Sequence, residues 1–160
     1  MTLSGRVRGP EGRDLYSFEI SYYREEFRIF SVRDKYKVVR VRVSNFSTTP
    51  LRLSAERDRL ELVLPDNVVV KSLLDLQSAD GPTWDAFDAS LRQALAYPAT
   101  IKAAPGADGG RAGSPEVVYL FAFYPSDKVV TVPLRFNYWI DSLQQALPIE
   151  APAPRGARAH

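Results

Sequence analysis

The sequence predicts an all-β domain built as an antiparallel sandwich, on three observations. The first is the stretch Tyr36 to Leu64. Val39, Val41 and Val43 alternate there with Arg40, Arg42 and Ser44, and Leu51/Leu53 and then Leu60, Leu62 and Leu64 resume the same period. A period of two places the χ1-stiff valines on one face and the arginines on the other, as on a strand buried on one side and wet on the other. The second is that polar turns, Asn45 to Pro50 and Glu56 to Arg59, separate these runs, which favours antiparallel neighbours. The third is that one segment shows convincing helical spacing, with Trp84, Phe87, Leu91 and Leu95 at steps of three and four.

Taken in order, residues 1–14 (MTLSGRVRGPEGRD) are Gly- and Arg-rich and are expected to form a flexible N-terminal segment. From Leu15 to Val32 the chain is β-prone: Phe18, Ile20 and Tyr22 alternate with Ser17, Glu19 and Ser21, and Phe27 and Ile29 with Glu26 and Arg28. Tyr23-Arg24-Glu25 reads as a bulge or hairpin turn between them. Arg33-Asp34-Lys35 turns into the central strand, and Pro65-Asp66-Asn67 turns into a further short strand, Val68 to Leu76.

The helix is expected over residues ~83–96, with Pro82 or Thr83 at its start, Asp85 in its first turn facing the helix dipole, and Pro98 after its end. Residues 103–115 (AAPGADGGRAGSP) form a loop by composition; they lack the Gly-Lys-Ser/Thr ending of a phosphate-binding loop. Glu116 to Tyr124 is apolar on both faces, as for a strand covered on both sides. Val130 to Tyr138 alternates, with Pro133 marking an edge or bulge. Trp139 to Leu147 is expected to form a short helical or irregular cap, and residues 151–160 (APAPRGARAH) a disordered tail. The count is about seven to nine strands and one inserted helix, which fits an immunoglobulin-like antiparallel β-sandwich over residues 15–150, with a closed barrel as the main alternative.

A chain of 160 residues, 45% hydrophobic and 25% charged, is long enough for one domain with a real core. Its net charge of +2 is too balanced to imply nucleic acid or an anionic membrane as partner. The absence of Cys removes disulfides, thiol catalysis and cysteine metal sites. The single histidine, His160, lies in the tail, which removes a Ser-His-Asp triad or a His-based metal site within the fold. No apolar run reaches the roughly 18 residues of a transmembrane helix.

Three pieces carry a resemblance: YKVVRVRVSNFS followed by TTPLRL, then DRLELVLPDN, then PGADGGRAGSPEVVYLFAFYPSDK. Together they resemble the telokin-like, DUF4352-type immunoglobulin-like domains of bacterial secreted proteins and lipoproteins, over residues 15–140. The long helical segment and the absence of a lipoprotein cysteine depart from that pattern. The resemblance implies a non-enzymatic binding or scaffolding module for protein–protein interaction at the bacterial cell envelope. It implies no catalytic residues, cofactor or metal. The expected place is extracytoplasmic if an export signal was removed, and cytoplasmic otherwise.

The candidate residues fall into four groups. Asp75, Asp80, Asp85 and Asp88 cluster around the helix start; their spacing does not match a calcium loop, and helix capping is the simpler role. Tyr22, Tyr23, Tyr36, Tyr97, Tyr119, Tyr124 and Tyr138, with Trp84 and Trp139, supply either core or a flat platform for a glycan or small ligand, the alternative function. Arg40, Arg42 and Arg52, on a sheet face, suit either phosphate or an acidic partner, and pairing across strands with Glu19, Glu56, Asp58 or Glu61 is the simpler outcome. Asp85, Asp88, Arg92 and Gln93, largely off the apolar stripe, are expected to form an exposed surface for another protein.

Overall fold

The structure is a computed structural model that describes residues 2–21, 30–32, 34–105, 114–129 and 133–151. It is an all-β, sandwich-like fold: 46% of the described residues are in strands and 17% are helical, so the helices are an addition to a β frame. The elements are β1 (Thr2–Arg8), β2 (Asp14–Ser21), β3 (Phe30–Val32), β4 (Tyr36–Asn45), β5 (Leu51–Arg52), β6 (Arg59–Val63) and β7 (Val69–Val70). After them come α1 (Leu76–Ala79), α2 (Gly81–Asp85), α3 (Ala89–Leu95), β8 (Thr100–Ile101), β9 (Glu116–Pro125), β10 (Arg135–Ile140) and β11 (Gln145–Glu150). All strand pairs are antiparallel.

The main sheet runs β9-β4-β2-β1-β11-β10-β6-β7, with β3 beside β4 as well; β5 and β8 form a separate pair. On one edge of β4, β2 and β3 lie end to end, with Glu19 opposite Arg42 and Phe30 opposite Val38. The expected bulge or turn at Tyr23-Arg24-Glu25 lies outside the described residues. The long sheet curls until its two ends nearly meet. Val69 and Val70 pair with β6, and Leu73, three residues on, exchanges backbone hydrogen bonds of 2.8 and 3.0 Å with Phe123 of β9. The five-residue span 69–73 therefore bridges the seam of an almost closed barrel.

Alternation fills the interior as the sequence requires. Val39, Val41 and Val43 point inward and are fully buried, while Arg40 and Arg42 stand outside. Phe18, Ile20, Leu60, Leu62, Leu120, Phe136, Tyr138 and Ile149 join them, with Phe18 edge-on to Tyr138 at 5.6 Å between centroids. Each such side chain contributes about 1.5–3 kcal/mol by leaving water. The turns at Asp34 and Asn67 place those residues at φ of 58° and 66°, the left-handed region that Asp and Asn tolerate best among residues with a Cβ.

Two expectations are corrected. Residues 2–8 are a strand rather than part of a flexible segment: β1 pairs with β2 from Thr2 to Arg8, and Leu3 is fully buried. Its alternation of Leu3, Gly5 and Val7 against Arg6 and Arg8 is hidden by the Gly/Arg-rich composition around it. Gly5 stands there because a Cβ would come within 2.4 Å of the Pro148 carbonyl oxygen. Gly5→Ala is therefore expected to lose about 1–3 kcal/mol in chemical denaturation, because backbone must move to admit the methyl; an unchanged midpoint would contradict this close approach.

The second correction concerns Trp139 to Leu147, which is no cap. Strand β10 runs to Ile140, a single 3-10 turn covers Asp141–Leu143, and β11 returns with Leu147 and Ile149 buried. The tight return depends on Gln144, which takes φ of 50° and donates its side-chain amide to the Asp141 carbonyl at 2.7 Å.

The inserted helical segment is a small layer on the outer face of the sheet. The single helix expected over ~83–96 is divided between α2 and α3. Asp88, in an extended conformation, accepts a hydrogen bond from the Leu91 amide at 2.8 Å. A side chain that captures the next turn's amide starts a new helix and stops the old one. The apolar stripe survives the break: Trp84 and Leu95 are buried, Phe87 and Leu91 half-buried, and all four pack with Val38 and Phe123 from the sheet.

Candidate functional site

Strands β4 and β9 run side by side through ten paired residues, so their outward side chains form rows: Val38 with Phe123, Arg40 with Phe121, Arg42 with Tyr119. The helical layer covers the first row and packs against Phe121 of the second. Beyond it the face is open, and the Arg40 guanidinium lies 4.8 Å from the centre of the exposed Tyr119 ring, within cation–π range. Arg42 pairs with Glu19 at 3.5 Å, as cross-strand pairing predicts. Arg52 lies on β5, in the separate two-stranded pair with β8. Glu116 to Tyr124 is thus covered on both faces only toward its C-terminal end.

The four aspartates do not converge. Asp75 accepts from the Ser78 amide and hydroxyl, Asp80 from the Thr83 amide and hydroxyl, and Asp88 from the Leu91 amide, so three of them each cap the helix that follows. The expected start at Pro82 or Thr83 moves back to Asp80, with Pro82 inside the first turn of α2. Asp85 ends α2 and is exposed, as is Gln93, whereas Arg92 is half-buried. Of the surface expected from Asp85, Asp88, Arg92 and Gln93, Asp85 and Gln93 are open and uncommitted. Asp88 is exposed but engaged as a cap, so Asp88→Ala is expected to lose about 1 kcal/mol in denaturant melts.

Asp80 also ties the layer to the sheet. It accepts from the Tyr36 hydroxyl at 2.7 Å and lies 3.6 Å from the Lys35 ammonium. The Tyr36 and Thr83 hydrogen bonds hold its carboxyl down at about 2, against an ordinary 3.8. Burial, followed by Asp80 itself, pushes the Tyr36 phenol up to about 12. A depressed carboxyl contributes stability that is present above its unfolded pKa and is lost as pH falls through its folded pKa. The attachment of α2 to Tyr36 is therefore expected to weaken between about pH 4 and pH 2, seen as a change in Trp84 fluorescence. Asp80→Asn should remove this acid transition; its persistence in the variant would show that another group controls it.

A second polar centre was not anticipated. Asp58, expected to pair with surface arginines, is buried. One of its oxygens accepts from the Asp141 amide at 2.9 Å, and the other from the Ser54 amide at 2.8 Å and the Tyr97 hydroxyl at 2.6 Å. Tyr97 gives its proton to Asp58, so in its hydrogen bond with Tyr138 the Tyr138 hydroxyl donates. Burial raises both phenols well above their ordinary range, reinforced at Tyr97 by the neighbouring Tyr138 and Asp58. These phenols stay protonated at neutral pH, and the carboxylate is occupied by three donors. The arrangement ties β6, β10 and the segment after α3 together. The only sequence signal was an acid placed directly before an alternating strand.

Of the remaining aromatics, Tyr124 is buried and donates to the Leu60 carbonyl at 2.8 Å, and Tyr36 packs edge-on to Phe123. Trp139 is half-buried under Arg59, 5.8 Å away. Tyr22 and Tyr23 lie outside the described residues. Beside Trp84 and Tyr97 is an open cleft of about 210 Å³, lined also by Leu74, Asp75, Gln77 and Ala96. No helix among the described residues is long and apolar enough to cross a membrane. No protein-family model, curated protein or solved structure matches the chain.

Proposed function

We propose that this chain is a non-enzymatic binding or scaffolding module of immunoglobulin-like build that acts by protein–protein contact, at the bacterial cell envelope. The observation that carries this reading is the helical layer on the outside of the sheet. It adds about twenty residues to a frame that already has its own core, and it leaves Asp85 and Gln93 exposed, while the sheet face it packs on carries the exposed Arg40 and Tyr119. Arg and aromatic residues are the types enriched where proteins meet. The commitment of Asp58, Asp75, Asp80 and Asp88 to structural hydrogen bonds supports the non-enzymatic part. The resemblance to telokin-like domains points to the same class and to an extracytoplasmic place.

The test is a photo-crosslinking amino acid placed at Gln93, with a second at Asp66 in the exposed β6–β7 turn as control. A protein adduct from position 93 and none from position 66 is expected. Equal labelling from both positions, or none, would count against this surface. The alternative, a glycan- or small-ligand-binding module, is favoured by the cleft beside Trp84 and Tyr97. A glycan array signal abolished by Trp84→Ala or Trp139→Ala would replace the protein-binding reading with that one.

A further inference from the structure

The outer face of β4 and β9 and the adjoining helical layer carry opposite charges. On the sheet side, Arg42 has Glu19 as its acid, but no carboxylate lies within ion-pair distance of Arg40 among the described residues; the Tyr119 ring is its only partner there. Tyr119 itself is 47% exposed. On the helical side, residues 75–95 hold four aspartates (Asp75, Asp80, Asp85, Asp88) against one arginine, Arg92, in a chain whose net charge is +2. Three of those aspartates are spent on caps, while Asp85 is exposed with no hydrogen bond or ion pair among the described residues. Phe87, two residues after Asp85, and Phe121, opposite Arg40 in the register, pack half-buried against the same cluster as Leu91.

We propose that this surface binds a second copy of the chain, as a two-fold pair in which Asp85 of each copy meets Arg40 of the other around an aromatic centre. The proposal rests on the protein-binding reading and names its partner. A two-fold interface uses one patch on both subunits, so residue i meets residue j and j meets i. A basic partner would leave Arg40 without an acid, and an acidic partner would leave Asp85 without a cation. A second copy satisfies both by one symmetry operation. The exposed Tyr119 ring and the half-buried Phe121 and Phe87 supply apolar area at the centre, and the charges supply register and orientation.

Sedimentation equilibrium and light scattering over a concentration series test this. The mass is expected to rise with concentration from that of one 17.9 kDa chain toward twice it, and the association to weaken with added salt. Arg40→Glu and Asp85→Arg, both at exposed positions, should each weaken dimerisation by about 10-fold or more. An equimolar mixture of the two variants should restore it, because both symmetry-related contacts then join opposite charges; the doubly substituted chain should dimerise for the same reason. Unchanged thermal melting of each variant separates lost association from lost folding, and if a single variant fails to fold, the double variant still decides. A monomer at every accessible concentration overturns the proposal, as does a dimer indifferent to both reversals or a mixture that fails to recover. A monomer that still gives a position-dependent adduct to another protein from Gln93 would overturn the self-pairing and leave the binding-module reading standing.

Discussion

Asp58→Ala is expected to destabilise the protein by about 3–5 kcal/mol in denaturant unfolding. The carboxylate accepts from the Ser54 and Asp141 amides and the Tyr97 hydroxyl in a buried site. Removing it strands three donors, and each buried donor left without a partner costs about 1–3 kcal/mol, part of which water entering the vacated space would relieve. Asp58→Asn keeps the shape but turns an amide donor toward existing donors, so it should rescue only part of the loss. Tyr138→Phe, which removes only the outer hydroxyl of the chain of bonds, should cost less, about 1–2 kcal/mol. If Asp58→Ala melts within about 1 kcal/mol of the parent, these bonds are not what holds β6 to β10 and the segment after α3. The conclusion that this carboxylate serves structure rather than chemistry would then have to be withdrawn.

Leu95→Ala should lose about 2–5 kcal/mol, the range for a leucine removed from a packed core. Leu95 is 1% exposed and closes the small cluster in which Trp84, Leu76, Val38 and Phe123 also lie. Leu91, on the same stripe, is only half-buried, so Leu91→Ala should cost less, about 1–2 kcal/mol. Because the layer has its own cluster separate from the barrel core, Leu95→Ala should release it first. Trp84 fluorescence would then change at lower denaturant than the far-ultraviolet β signal. Coincident transitions would mean that layer and barrel unfold as one cooperative unit. A neutral Leu95→Ala would mean that the layer is not docked through this side chain, and with it would go the surface on which the binding proposal stands.

Much of the β frame was legible because a strand's side-chain period is a local property. The buried valines of β4, the leucines of β6 and the turns at Asp34 and Asn67 follow from residues within a few positions of one another. The Asn45 to Pro50 turn is a graded case. Its local bonds, from the Ser47 amide to Asn45 and from the Thr49 amide to Ser47, belong to the residue types present. The Asn45 amide that also donates to the Ile101 and Lys102 carbonyls reaches more than fifty residues along the chain, and nothing near Asn45 announces it. Strand β1 was obscured for a different reason: its glycine and arginines lower the apolar content that marks a strand, and Gly5 is small because of Pro148, at the other end of the chain.

The sequence by itself determined an antiparallel β domain with an amphipathic helical stripe at Trp84 to Leu95, in a chain with no Cys and a single His at position 160. Only the tertiary structure decided that the sheet curls until residues 69–73 bridge its seam, that the helix is interrupted at Asp88 while its apolar stripe stays continuous, and that Asp58 is a buried acceptor rather than a surface partner for arginine. It alone decided that Arg40 rests on Tyr119 while Arg42 finds Glu19. The division has one physical cause. Periodicity, turn chemistry and capping act over one to four residues and are written in the local sequence. The partner of a buried carboxylate, an exposed guanidinium or a crowded glycine is set by which distant strands come to lie side by side, and that is a property of the closed sheet as a whole.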